Sequence, residues 1–209
     1  MNRKDKIRVL SVDDHPLLRE GIAAIINNQD DMIMVAQAST GREGIHLFRE
    51  HRPDVTLMDL RMPDLGGIDA LSAILAEFPE ARIVMLTTFE GDVEIQRSLA
   101  AGARGYVLKN MPPKELAEAV RQVHAGRKRI PQEIATQLAE HIADEHLTGR
   151  EVDVLQHVAG GNRNRDIAEQ LSISEETVKV HIKHIMEKLG ATDRTGAVAI
   201  AVRRGIIQL

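Results

Sequence analysis

Cysteine and tryptophan are absent from the 209-residue chain, and tyrosine occurs once. Without cysteine there is no disulfide framework, no thiolate-bound zinc and no thiol nucleophile. Aromatic residues make up 2% of the chain and are Phe48, Phe78, Phe89 and Tyr106. The core must therefore be aliphatic, and base stacking on aromatic side chains has no platform for nucleic-acid binding. All four aromatics fall within the first 106 residues, so the two halves differ in composition. No apolar run approaches the ~20 residues of a membrane span. The opening stretch from Met1 to Ile7 lacks the pattern of a signal peptide. The expectation is a soluble, cytoplasmic protein with no membrane partner.

Excess positive charge is also missing. The formal net charge is −4. Residues 1–125 hold 15 basic and 19 acidic residues, and residues 126–209 hold 12 of each. Residues 147–209 hold 9 basic and 8 acidic residues, far from the basic balance of many DNA-binding domains. An argument for DNA must therefore rest on where charges are placed.

What is present in the first half is alternation. Short β-rich runs at 7–12, 32–38, 55–58, 83–86 and 105–108 are separated by amphipathic stretches at 17–27, 42–50, 68–77, 93–101 and 114–125. Five strand–helix units predict a parallel sheet with helices on both faces. The strand order 2-1-3-4-5 of a doubly wound, flavodoxin-like α/β fold fits five such units, and ligands in these sheets sit at the carboxyl ends of the strands.

The predicted strand ends carry chemistry. Asp13 and Asp14 close strand 1, Asp59 closes strand 3, Thr87 and Thr88 close strand 4, and Lys109 closes strand 5. One acidic residue in such a place is usually a helix cap or a turn residue. Three that converge on one crevice repel each other unless a cation joins them, and an all-oxygen site favours Mg²⁺ over zinc. A lysine and a hydroxyl facing the same crevice suit an incoming phosphoryl group. The residues thus point to Mg²⁺-assisted phosphoryl transfer with a carboxylate acceptor. Pro63, Gly66 and Gly67 are read as ordinary turn residues.

Residues 147–209 show no strand pattern and predict four helices. Thr148-Gly-Arg-Glu151 is a capping box that opens the first, and Gly160-Gly161 stops it. The second helix spans about 163–171. After a tight turn at Ser172-Ile173, Ser174 caps a third that runs to about Leu189, with Gly190 as its stop. The fourth begins near Asp193 and ends by Gly205. Helix, short turn and capped helix form a helix-turn-helix, whose second helix enters the major groove. In that helix Val178, Ile182, Ile185 and Leu189 have the inward spacing, and Lys179, Val180 and Lys183 fall on the other side. Arg163, Arg165 and Arg194 lie near helix ends, where they suit phosphate contact.

Both halves carry a resemblance. Val12-Asp-Asp-His15, Leu57-Met-Asp-Leu-Arg-Met-Pro63, Met85-Leu-Thr-Thr88 and Gly105-Tyr-Val-Leu-Lys109 resemble the receiver domain of two-component response regulators over roughly residues 6–125. Thr148-Gly-Arg-Glu151, Ile173-Ser174, the run from Thr177 to Ile185, and Lys188-Leu-Gly190 resemble the LuxR-type DNA-binding domain. Together they resemble the NarL/FixJ subfamily. The resemblance implies that Asp59 is the phosphoacceptor. It also implies that Asp13, Asp14, Asp59 and the backbone carbonyl of Arg61 hold Mg²⁺, Asp14 directly. Lys109 would pair with the phosphoryl oxygens, while Thr87, Thr88 and Tyr106 form the switch. Lys179, Val180 and Lys183 would read bases, and Arg165, Thr177 and Arg194 would contact the DNA backbone. Val198 and Val202 would form the dimer contact. The implied partners are a sensor histidine kinase, double-stranded DNA through its major groove and a second copy of the chain, with RNA polymerase as a further candidate. Two departures stand out: Asn110 follows Lys109 where many receivers have proline, and Asn162-Arg163 replaces an apolar residue and serine.

Between the halves, residues 126–146 read as a linker. It holds a basic turn at 126–131, a helix at 132–143 with Ile134, Leu138 and Ile142 on one stripe, and a hinge at 144–146. That helix either packs permanently on one domain or docks differently in the on and off states. The expected function is a response regulator in which phosphorylation of Asp59 reorders Thr87, Tyr106 and the loops around Phe89 and so controls DNA binding. The alternatives are a DNA-binding regulator with a phosphorylation-independent receiver, and a Mg²⁺-dependent phosphatase working through an aspartyl phosphate. Against the phosphatase, Asp59-Leu-Arg61 lacks a second Asp two residues on.

Overall fold

The computed structural model describes residues 6–88, 91–140 and 145–207. Phe89, Ile142 and Asp144 lie outside the described residues. Five strands, β1 (Ile7–Val12), β2 (Met32–Ala38), β3 (Val55–Asp59), β4 (Ile83–Thr87) and β5 (Gly105–Leu108), form one sheet of order β2-β1-β3-β4-β5. Every pairing is parallel. Strands β3 and β4 each run one residue further than their apolar runs, so Asp59 and Thr87 are themselves the terminal strand residues.

Every residue of β3 and β4 is buried, as a parallel sheet covered on both faces requires. Helices α1 (Pro16–Asn27) and α5 (Pro113–His124) cover one face. Their Ile22, Ile26, Leu116 and Val120 pack with Val9, Leu57, Leu86 and Val107 from the strands. Side chains alternate along a strand, so Asp13, Asp59 and Lys109 continue the row on this face. The other face carries Leu10, Met58, Met85 and Tyr106, all fully buried. The sheet's remaining helices are α2 (Gly41–His51), α3 (Gly67–Glu77) and α4 (Asp92–Ala100).

Local chemistry fixes where the helices begin. Pro16 opens α1, where its missing N–H is harmless. Thr40 caps α2 by accepting from the Glu43 N–H, and Glu43 returns a bond to the Ser39 N–H at 2.7 Å. The sheet edge holds a feature that composition conceals. Arg129, in the basic stretch assigned to the linker, pairs with β5: its N–H donates to the Arg104 carbonyl at 3.1 Å, and its carbonyl accepts from Tyr106 N–H at 2.7 Å. A Cβ on Gly105 would sit 2.8 Å from that carbonyl, so this pairing requires glycine. The chain divides into two compact units, and this one continues to Ala135. Helix α6 (Gln132–Glu140) follows, with Ile134 buried and Leu138 half-buried.

The second unit contains α7 (Gly149–Ala159), α8 (Asn164–Leu171), α9 (Glu175–Leu189) and α10 (Arg194–Arg203). The Thr148–Glu151 capping box is formed in both directions. Ser172 turns the chain between α8 and α9 at φ 54°, and Gly190 ends α9 at φ 62°. Ser174 accepts from the Thr177 N–H at 3.0 Å and fixes the start of α9. Val154, Leu155, Ile167, Val178, Ile185, Leu189, Ala197 and Ala201 make the core. The Lys188 ammonium reaches the Glu151 carboxylate at 2.8 Å and the His146 carbonyl at 3.4 Å, tying the last turn of α9 to the start of α7. Burial raises the Glu151 carboxyl, but bonds from Lys188 and Thr148 outweigh that and hold it below the ordinary range.

Candidate functional site

Four strand ends build the site in the first unit. Asp13 follows β1, Asp59 ends β3, Thr87 ends β4 and Lys109 follows β5. The Lys109 ammonium lies 2.7 Å from one Asp59 oxygen and 3.0 Å from one Asp13 oxygen, so a single cation bridges two buried carboxylates. The Lys109 N–H donates to the Thr87 carbonyl at 2.7 Å, which anchors the lysine without a proline after it. Burial works to lower the Lys109 pKa, but the bonds to Asp59 and Asp13 more than reverse this and raise it. Burial pushes the Asp59 carboxyl upward and nearby Asp13 adds to the rise, while Lys109 pulls it down. The net direction for Asp59 is up, because burial, aided by the neighbouring Asp13 carboxylate, outweighs the pull of Lys109.

Asp13, Asp14, His15 and Asp59 present ligand atoms within 4.8 Å of one another. One buried oxygen of Asp13 lies 3.0 Å from the Lys109 ammonium, and one of Asp14 lies 2.8 Å from His15 Nδ1. A hard divalent cation fits this set, since three crowded carboxylates dominate it and one ammonium bridges two of them. The Arg61 N–H makes a long contact of 3.4 Å with Asp59, so the loop that carries Arg61 lies beside this carboxylate.

Two residues contribute that the strand-end reasoning missed. His15 donates its N–H to Asp13 at 2.8 Å, and its Nδ1 lies 2.8 Å from Asp14. Its signal was the Asp-Asp-His run just before the proline that opens α1. Gly67, read only as a turn residue, has no room for a side chain: a Cβ there would lie 1.9 Å from the Asp59 carbonyl oxygen. The first turn of α3 therefore lies directly on the Asp59 backbone.

The expected switch residues divide between surface and core. Thr87 is buried, and Thr88 is exposed in the bend after β4. Tyr106 is 0% exposed, with its hydroxyl hydrogen-bonded to that of Ser98 on α4. Its backbone N–H is the group bonded to Arg129.

In the second unit, α9 turns Val178, Ile185 and Leu189 inward and leaves Lys179, Val180 and Lys183 outside. Val180 is 45% exposed, unusual for a β-branched apolar residue. Each outward cation on α8 and α9 has an acidic neighbour on its own helix. Lys179 pairs with Glu176 at 3.1 Å, Lys183 with Glu187 at 3.7 Å, and Arg165 with Glu169 at 3.3 Å. Arg194 donates to the Asn162 carbonyl at 3.0 Å, so the altered α7–α8 loop holds this arginine. Thr177 is half-buried and shares a hydroxyl bond with Ser174. Val198 and Val202 are half-buried at the margin of the core.

Residues 9–121 match the family described as response regulator receiver domain, and residues 145–201 match bacterial regulatory proteins, luxR family. The chain is 43% identical to the uncharacterized transcriptional regulatory protein YxjL of Bacillus subtilis, over 98% of this chain and 99% of that protein. It is 39% identical to the nitrate/nitrite response regulator protein homolog of Haemophilus influenzae, covering 94% and 97%. Among solved structures, RcsB of Salmonella enterica serovar Typhimurium bound to a promoter with phosphomimetic BeF3− aligns at TM-score 0.74 and 26% identity, covering 95% and 98%. Among the described residues no helix is long and apolar enough to cross a membrane.

Proposed function

This chain belongs to the two-component response regulators that join a receiver to a luxR-family DNA-binding domain, and we propose that Asp59 is the residue through which it is switched. The observation that carries the proposal is the bridge from Lys109 to the buried carboxylates of Asp59 and Asp13. The phosphodonor is a phosphohistidine of a sensor kinase. Its N–P bond breaks, with the electron pair returning to the imidazole, as an O–P bond forms to an Asp59 carboxylate oxygen. The Lys109 ammonium then pairs with a phosphoryl oxygen. Asp13, Asp14, Asp59 and the Arg61 carbonyl are the residues that would hold Mg²⁺. When bound, the ion neutralises the crowded carboxylates and draws charge from the phosphoryl group.

Docking of the donor is supported by Leu17, 86% exposed on α1. Leu17 stands at an apolar groove that Leu18, Gly21, Ile25 and Met111 line together with Lys109. The new charge is then sensed by Thr87 and Thr88 and passed to Tyr106 on the opposite face of the sheet. In the output domain Lys179, Val180 and Lys183 read base edges, and Arg165, Thr177 and Arg194 contact the sugar-phosphate backbone. Val198 and Val202 meet a second copy of the chain. RNA polymerase is the partner through which a bound dimer acts.

The test is transfer of labelled phosphoryl from a sensor kinase, or from a small acyl phosphate with Mg²⁺, to the purified chain. Asp59→Ala abolishes labelling, and label that persists on another residue overturns the assignment. DNA binding equal with and without phosphoryl donor would favour a phosphorylation-independent receiver.

A further inference from the structure

The outward stripe of α9 carries both signs, with acids at its ends and lysines between them. It runs Glu176, Lys179, Val180, Lys183 and Glu187 at helical spacing, so these side chains share one face. Lys179 and Lys183 each form an ion pair with the acid at the nearer end of the stripe. All four charged side chains are more than half exposed, and exposed pairs of this kind add little to stability. The stripe as a whole carries no net charge. A neutral stripe releases few counterions from DNA and gains little from the phosphate backbone. Binding through this face therefore depends on base contacts.

Glu176 is the second residue of α9, in the N-terminal part of a recognition helix that reaches base edges. A carboxylate there only accepts hydrogen bonds. In the major groove it is suited to the cytosine N4 amino group, whereas lysine is suited to guanine O6 and N7. We propose that Glu176 is a specificity-determining residue that demands a cytosine beside the guanine contacted by Lys179, so that each half-site contains this two-base signature. The proposal rests on α9 being the DNA-reading helix. The same carboxylate disfavours arbitrary sequences: off the site it holds the Lys179 ammonium and repels phosphates.

The experiment selects bound duplexes from a random pool with the full-length phosphorylated chain, comparing wild type, Glu176→Ala and Glu176→Gln. Wild type selects cytosine at one position per half-site, by about tenfold over other bases. E176A loses that preference, and E176Q moves it towards adenine, the base that glutamine bonds through N6 and N7. Affinity for an unrelated duplex rises several-fold in both variants, and its salt dependence steepens by about one phosphate contact as Lys179 is released. Glu175→Gln is the control and leaves the selected sequence unchanged. Unchanged base selection in both Glu176 variants overturns the proposal. Lys179→Ala separates the two levels. If it alters selection while the Glu176 variants do not, only the role of Glu176 fails. If neither does, α9 is not the reading helix.

Discussion

Replacing Gly67 by alanine tests whether the backbone of Asp59, the proposed acceptor, has room to move. A Cβ at residue 67 would lie 1.9 Å from the Asp59 carbonyl oxygen and 3.1 Å from the Leu60 Cα. Real Cβ atoms keep at least 3.0 Å, so the two backbones must part by at least 1.1 Å. Both are pinned: Asp59 is paired in register with Leu86 of β4, and Gly67 N–H donates to the Leu60 carbonyl at 2.9 Å. Overpacking of this kind costs about 1–3 kcal/mol. If the strand end yields, a displacement near 1 Å at the reacting carboxylate slows phosphoryl transfer by roughly 100-fold. Gly66→Ala is the matched control. Its φ is −58° and its nearest atom would be 3.8 Å away, so its effect stays within about 0.5 kcal/mol. Thermal unfolding and labelling from an acyl phosphate are measured on both. If Gly67→Ala melts and labels like Gly66→Ala, the contact with Asp59 does not constrain the acceptor and the reasoning fails.

Three further outcomes follow from the geometry. Lys109→Ala leaves Asp13 and Asp59 buried without their shared cation, so in chelator the variant melts below wild type, and added Mg²⁺ raises its melting point more than that of wild type; equal Mg²⁺ shifts would show that Lys109 does not offset this charge. The folded pKa of Glu151 is depressed, so its stabilisation is present above its unfolded pKa and lost as pH falls through the folded value; denaturant titrations should put Glu151→Gln about 1–2 kcal/mol below wild type at neutral pH, with the gap closing under acid, and a gap independent of pH would contradict the pairing with Lys188. Tyr106 is the only tyrosine and no tryptophan masks it, so its emission or its quenching by iodide changes on phosphorylation if its ring moves; identical spectra and quenching would remove it from the switch.

Most of the receiver site was legible because its residues sit at the ends of apolar runs, where hydropathy changes sharply. Asp13, Asp59, Thr87 and Lys109 are visible in that way, and parallel pairing brings their ends together. Gly67 was not, because its constraint is a contact with a backbone eight residues earlier in the chain, and a glycine near a proline reads equally well as a turn. The pairing of Arg129 with β5 was hidden for a related reason. It uses only backbone atoms, so a run of basic side chains looks like solvated linker, and the one trace it leaves is the absence of a side chain at Gly105. Helix α9 shows the reverse case. The i, i+3 and i, i+4 spacings of Glu176–Lys179 and Lys183–Glu187 are plain in the sequence, and these glutamates are two of the eight acidic residues that bring residues 147–209 near neutrality. On the proposed reading face each lysine is matched by a glutamate, so if α9 reads DNA, base edges carry a larger share of the affinity at this helix than its charge does.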